Sequence, residues 1–292
     1  MDPTDRTNAK TIASKRSLWI VTIHSFVVIP FIIACVGLIV FIFFRLLTTE
    51  EQTIYDYLND VKTGSSHRSW QAAFELSKHL LYPKDAEVHS KRFVNEMIGT
   101  FVHFGNKDKR IRQYLALAMG RTDEKQFVEP LLDAMAGEEG DTLVAIIQAL
   151  GLLKDEKSGP HLYNYLDNPN SKVRLSAVIA LGNIGDPASA EALKRALRDS
   201  EVNVVWDASV ALAKIGRRDG KSVLLRLLDR SYLSKFTEID ADEQSKILIT
   251  AIKAATLISD TDFIAAIRGL SKNDHNTEVR AAAMKALAQK AN

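Results

Sequence analysis

The chain has 292 residues and a formal net charge of +2, and 25% of its residues are charged, as in an ordinary protein with a folded core. Five basic and three acidic side chains lie in residues 1–50, so residues 51–292 hold 33 of each sign. This balance lacks the excess positive charge that nucleic-acid binding requires. The single cysteine, Cys35, excludes a disulfide within the chain.

The first predicted element is an apolar run without formal charge, from Leu18 to Phe44. At 1.5 Å per residue this run would extend roughly 40 Å as a helix, and a bilayer core is about 30 Å thick. We therefore expect a transmembrane helix over residues 18–45. Trp19 suits an interface position, and Pro30 predicts a kink.

Basic residues precede this run in a short N-terminal tail, residues 1–17, whereas Arg45 is the only one close behind it. The positive-inside rule then predicts a single-pass protein of the cell (inner) membrane, with a cytoplasmic N-terminus and the repeats on the outer, periplasmic side, and the opposite orientation stays open as the alternative. Two processing alternatives remain open, a cleaved signal peptide and a lipobox-like sequence ending at Cys35. The run is long for a signal peptide, and nine apolar residues follow Cys35.

Three helical patterns follow over residues 48–105 and share no common spacing. The first is expected to begin at a capping box at Thr48 or Thr49 and to end at Gly64. All three patterns are rich in aromatic residues, which suits atypical end units that close the exposed face of a repeat stack. A cofactor pocket is the alternative, but aromatic residues at helical spacing usually form core.

A repeat with a period of 31 residues begins at about residue 106. A fixed period of this size indicates a solenoid, in which each unit is a helical hairpin that buries one face against its neighbours. Two of its columns are Leu115, Ile146, Ala177 and Ala208, and Leu131, Leu162, Leu193 and Leu224.

The run from Asn168 to Arg174, continued by Ala177, Ala180-Leu181-Gly182 and Ile184-Gly185-Asp186, resembles the HEAT repeat, in the short form of phycobilisome-lyase-like proteins. A second partial copy runs from Asp274 to Leu287. The resemblance covers roughly residues 106–292. It implies an all-α fold, a right-handed α-solenoid of HEAT-like helical hairpins, here preceded by the single transmembrane helix. It also implies a protein-binding scaffold, although some lyase-type members attach bilins.

The regular spacing breaks once, because Ala208 and Ala251 are 43 residues apart. The insertion, at about residues 230–246, carries Tyr232 and Phe236 and then a cluster of acids. A calcium site is one interpretation, but the glycine and spaced glutamate of an EF-hand loop are missing. We interpret the insertion as a partner-binding element and expect no metal.

Charge changes sign along the predicted second helices, with seven acids and one lysine in residues 123–141 but nine basic and five acidic residues in 194–230. The columns beside the buried leucines are expected to line the concave side. They either hold an acidic partner segment or lipid phosphate, or form solvated faces with internal ion pairs. Trp206 is either an exposed anchor or is covered by the insertion. The partner-binding candidates are Tyr163, Asn164, Lys194, Arg195, Arg198, Trp206, Arg226, Tyr232 and Phe236.

The sequence contains no HExxH, GxSxG, phosphate-loop or dinucleotide pattern. We therefore expect no enzyme, no cofactor and no small-molecule substrate. The predicted function is a membrane-anchored scaffold that mediates protein–protein interaction. The alternatives are an accessory subunit of a larger membrane complex, such as a transporter, and a lyase-like HEAT enzyme.

Overall fold

The computed structural model describes residues 27–48, 52–81, 86–105 and 107–291. The chain divides into two compact units, Met1–Gln52 and Thr53–Asn292. Residues 18–26 of the predicted span, which include Leu18 and Trp19, lie outside the described residues.

The described part of the first unit holds one α-helix, α1 (Ile29–Thr48). Pro30 and Phe44 lie in it with exposed side chains. Among the described helices, none combines the length and apolar character that crossing a membrane requires. The predicted transmembrane helix, single-pass membrane location and outer-side placement of the repeats are therefore wrong.

The second unit begins with α2 (Ile54–Thr63), α3 (Ser66–His79) and α4 (Lys91–His103). Helix α2 starts with a capping box in which the Thr53 N–H donates to Asp56 Oδ2 at 2.9 Å and Thr53 Oγ1 accepts from the Asp56 N–H at 3.3 Å. The capping box predicted at Thr48 is wrong, because Thr48 belongs to α1. Phe93 and Phe101 of α4 are fully buried.

Helix pairs follow in the order that the 31-residue period predicts, and the described residues form an all-helical, solenoid-like fold. The pairs are α5 (Lys109–Gly120) with α6 (Val128–Met135), α7 (Gly140–Leu153) with α8 (Gly159–Leu162), α9 (Ser171–Ile184) with α10 (Ala190–Ala196), and α11 (Val202–Lys214) with α12 (Lys221–Leu227). The short α13 (Arg230–Leu233) lies in the insertion, and α14 (Ala241–Thr256), α15 (Thr261–Asn273) and α16 (Thr277–Ala291) follow.

The predicted apolar columns form the core of these pairs. Leu115, Ile146, Ala177 and Ala208 have no exposed surface, and neither do Leu131, Leu162, Leu193 and Leu224. Burying one leucine side chain contributes about 1.5–3 kcal/mol, and a hairpin alone can bury only one face. The first helices therefore stack on one another in chain order, α5 on α7, α7 on α9 and α9 on α11. Handedness and the concave side remain predictions.

A glycine column sets the closeness of this stacking. A Cβ atom on Gly120 would lie 2.5 Å from Ala149 Cα, and one on Gly151 would lie 2.6 Å from Ala180 Cα. Gly182 is the third member and lies against Ala211. The next position in the column is Ala213, and the contact from α11 to α14 is less extensive than the earlier ones. The buried core accordingly forms two clusters, both of which include residues of α11.

Candidate partner-binding surfaces

Three arginines on the second-helix side of consecutive units carry charge that no acid of the described residues neutralises. Arg195, in α10, and Arg198, just after it, are exposed, and their guanidinium groups make no hydrogen bond or ion pair within that part of the chain. Arg226, in α12, is also exposed, and its guanidinium lies 5.4 Å from the ring centre of Tyr232. We call Arg195, Arg198 and Arg226 the arginine ridge.

The neighbouring candidate residues differ in their exposure and in whether their side chains form ion pairs. Asn164 is exposed and Tyr163 half-buried, both in the 3-10 segment Tyr163–Asp167. Lys194 forms ion pairs with Glu191 at 3.1 Å and Asp219 at 3.5 Å. Its hydrogen bond to Glu191, more than any other contact, raises the pKa of Lys194. Lys194 thus matches the interpretation as an internal ion pair, whereas the arginine ridge does not.

Trp206 is covered by the insertion, as one of the two interpretations predicted. Its side chain is 6% exposed, and its Nε1–H donates to the Tyr232 hydroxyl at 3.3 Å. The ring of Phe236 meets it edge to face, with centroids 4.9 Å apart. Trp206, Tyr232 and Phe236 therefore form an aromatic cluster that holds the insertion against α11.

Beside this aromatic cluster, a crevice of about 250 Å³ opens between α11 and α14. Its apolar walls come from Trp206, Val210, Leu227 and Ile247, and its polar lining from Asp207, Glu243, Lys246 and Thr250. We call it the α11–α14 crevice. It lies where the glycine column ends and the insertion separates the helices.

Residues 159–235 match the family model of HEAT repeats. A chain in the complex of CpcE and CpcF of phycocyanin lyase, from a Nostoc species, is 16% identical, with a TM-score of 0.55, over 83% of this chain and 96% of that chain. The Escherichia coli protein YibA is 15% identical, with a TM-score of 0.48, over 82% and 93%. At these identities the likeness to CpcE and CpcF concerns the fold alone. No curated protein matches the sequence.

The acids of the insertion have separate positions. Asp240 caps α14 by accepting a hydrogen bond from the Glu243 N–H at 2.8 Å. Glu238, Asp242 and Glu243 are exposed. Over residues 27–48, 52–81, 86–105 and 107–291, no three side chains of the metal-binding types converge on one point.

Three arginine–carboxylate pairs, which sequence reasoning missed, tie units of the HEAT-like stack together. Arg112 contacts Glu138 at 2.8 Å, and Arg174 makes two hydrogen bonds of 2.8 Å to Asp199. Arg230, from the insertion, binds Asp274 at 2.8 and 2.9 Å. The aligned repeats could have indicated two of these pairs. Arg112 and Arg174 occupy the column in which the other two units carry the apolar Leu143 and Val205, so a charge there is unexpected.

Asp207 is a further residue that sequence reasoning missed. Burial raises the pKa of this carboxyl, and the more distant Lys214 only partly offsets that effect. Its column contains Ala145 and Ser176, both buried and uncharged. That departure from a neutral column is visible in the sequence once the units are aligned.

Proposed function

We propose that this chain is a protein-interaction scaffold that binds an acidic segment of a partner on the arginine ridge. The observation that carries the proposal is the charge of Arg195, Arg198 and Arg226, which face solvent without an acid of the described residues to neutralise them. Arginine presents five N–H donors in a planar fork that fits a carboxylate in two parallel hydrogen bonds. A row of them on neighbouring units suits an extended acidic chain.

Repeat architecture supports the same function, because stacked hairpins present one continuous surface rather than an enclosed catalytic cavity. The similar fold in the complex of CpcE and CpcF belongs to a chain that assembles with another protein. Tyr163 and Asn164 lie one unit before the ridge and would extend it toward uncharged partner residues.

The test removes the positive charge of the ridge. The variant Arg195→Gln/Arg198→Gln/Arg226→Gln should lose a stoichiometric partner that co-purifies with the wild-type chain from its native source. It should also bind an acidic peptide, such as one of alternating glutamate and glycine, about tenfold more weakly, because three exposed charge pairs contribute roughly 0.2–1 kcal/mol each. Partner recovery is read by mass spectrometry and peptide affinity by calorimetry.

A matched control removes three exposed charges elsewhere, in Lys172→Gln/Lys253→Gln/Arg268→Gln. This control should keep both the partner and the peptide, because those residues lie outside the ridge. Wild-type binding should weaken with salt, since exposed charges are screened over about 8 Å at physiological ionic strength. Equal losses in the two triple variants would contradict the proposal.

A lyase-like activity is the second candidate, and the fold likeness to the phycocyanin lyase complex favours it. Such an activity would leave a chromophore, bound or in transit, on the native protein. An absorption spectrum of the protein purified from its source tests it, and a colourless protein without an adduct argues against it.

A further inference from the structure

The position of Asp207 is energetically unfavourable for a charged carboxylate. It is half-buried in α11, and its oxygens make no hydrogen bond or ion pair with any described residue. The equivalent residues of the two preceding units are the buried Ala145 and Ser176. Removing a charge from water without a partner costs free energy, so the departure from a neutral column calls for a compensating interaction.

The cations near Asp207 form no ion pair with it. Lys214 lies two turns further along α11, but its ammonium donates to Asn183 Oδ1 at 2.8 Å. Lys246 lines the crevice from α14 and forms no ion pair with Asp207 or any other described residue. The Asp207 carboxylate therefore lines the crevice without an ion pair, and only the longer-range attraction of Lys214 offsets its burial.

The walls of the α11–α14 crevice suit a long aliphatic chain. Val210, Leu227 and Ile247 are apolar, and the ring of Trp206 is fixed by Tyr232 and Phe236. A volume of about 250 Å³ is larger than a lysine or arginine side chain needs. These side chains pack their methylene stems on apolar surface and extend a charged head, which an aromatic face also attracts.

We propose that the α11–α14 crevice binds the basic side chain of a partner segment, a lysine or an arginine, with Asp207 as its counter-ion. The stem packs between Val210 and Ile247, and the head reaches the carboxylate. This site has the opposite charge preference to the arginine ridge and does not depend on it. It arises from the insertion, which packs on Trp206 at the point where the glycine column and the tight stacking end.

The probe is the peptide acetyl-Gly-Leu-Lys-Leu-Gly-amide, compared with the same peptide carrying arginine or norleucine in place of lysine. Norleucine keeps the aliphatic stem and lacks the charge. Binding to the full chain is followed by the NMR signal of the Trp206 indole N–H, which the variant Trp206→Phe identifies. We expect saturable shifts with lysine and arginine and at least a tenfold weaker affinity for norleucine.

Four variants separate the site from its surroundings. Asp207→Asn should abolish the preference for lysine over norleucine, whereas Asp141→Asn, an exposed acid of α7, should retain it. Lys246→Gln should tighten binding of the lysine peptide, because it removes the like charge from the crevice. Arg195→Gln/Arg198→Gln should leave this binding unchanged, which distinguishes failure here from failure of the ridge.

Thermal stability provides an independent readout. If Asp207 serves binding, then Asp207→Ser, the residue of the preceding unit, should raise the unfolding midpoint. A lower midpoint in Asp207→Ser and Asp207→Asn would show that the carboxylate serves folding and would overturn the proposal. Equal affinity for lysine and norleucine peptides, or no saturable shift with either basic peptide, would overturn it as well.

Discussion

Arg174 performs two tasks in its unit, and the last unit divides them between two residues. Besides binding Asp199, Arg174 donates from Nη1 to the Asn168 carbonyl at 2.9 Å. In the last unit, Arg280 donates to the equivalent carbonyl of Asp274 at 2.6 Å, while Arg230 binds the Asp274 carboxylate. The insertion thus supplies the arginine that the regular spacing would have placed on the preceding first helix, α14, where Leu248 stands.

Breaking the Arg174–Asp199 pair should be strongly destabilising. Both side chains are largely buried, so Arg174→Met leaves an unpaired carboxylate, at a cost of about 3–5 kcal/mol. The double variant Arg174→Met/Asp199→Leu removes both charges and should recover most of that loss. Urea denaturation measures both values. A double variant as unstable as the single one would show that the arginine acts through its backbone contacts instead.

The same pair predicts a dependence of stability on pH. The hydrogen bond from Arg174 holds the pKa of Asp199 below its ordinary value, although burial opposes this effect. The stabilisation is therefore complete above the unfolded pKa of about 3.9 and is lost as the pH falls through the folded pKa. Melting temperatures between about pH 2 and 7 should fall less steeply in Asp199→Asn than in the wild type. Parallel curves would contradict this assignment.

At the scale of helices, the sequence predicted the leucine columns because their burial follows directly from the period. The glycine column has the same period, but its meaning depends on which atoms of the next helix face it, and a single sequence does not contain that distance. Gly151 illustrates this, since only the 2.6 Å separation from Ala180 Cα shows that no side chain fits. The insertion was predicted from the spacing of the repeats, whereas its packing on Trp206 became apparent only from the folded structure.

Gly151→Ala should destabilise the stack by about 1–3 kcal/mol, because the added Cβ forces α7 and α9 apart. This cost outweighs the helix propensity that alanine gains over glycine, about 1 kcal/mol. Gly269→Ala in α15 is the matched control, since a Cβ added there would meet no atom within 4 Å and the variant should be stabilised. Chemical denaturation compares them. A stable Gly151→Ala would mean that the helices can separate at little cost.

At the scale of the second unit, the two core clusters meet at α11. Trp206 belongs to the later cluster, with Leu224, Leu233 and Leu248, whereas Ala208 of the same helix belongs to the earlier one. Because each unit of a solenoid contacts only its neighbours, stability is a sum of local terms. The charge of Asp207 is visible in the aligned units, but the crevice beside it could not be predicted, since a single sequence does not show how closely α14 packs on α11.

Truncating the aromatic cluster should therefore destabilise the later core cluster of the second unit and leave the earlier core cluster unchanged. Trp206→Ala removes a buried ring and should lower the free energy of unfolding of the later cluster by about 3–5 kcal/mol. Hydrogen exchange read by mass spectrometry should show faster exchange in α13 to α16 and little change in α5 to α7. Leu115→Ala in α5 is the reciprocal control and should accelerate exchange in the earlier helices. Uniform acceleration by both variants would show that the second unit unfolds as one cooperative body, because a loss in either cluster would then be transmitted through α11 to the other.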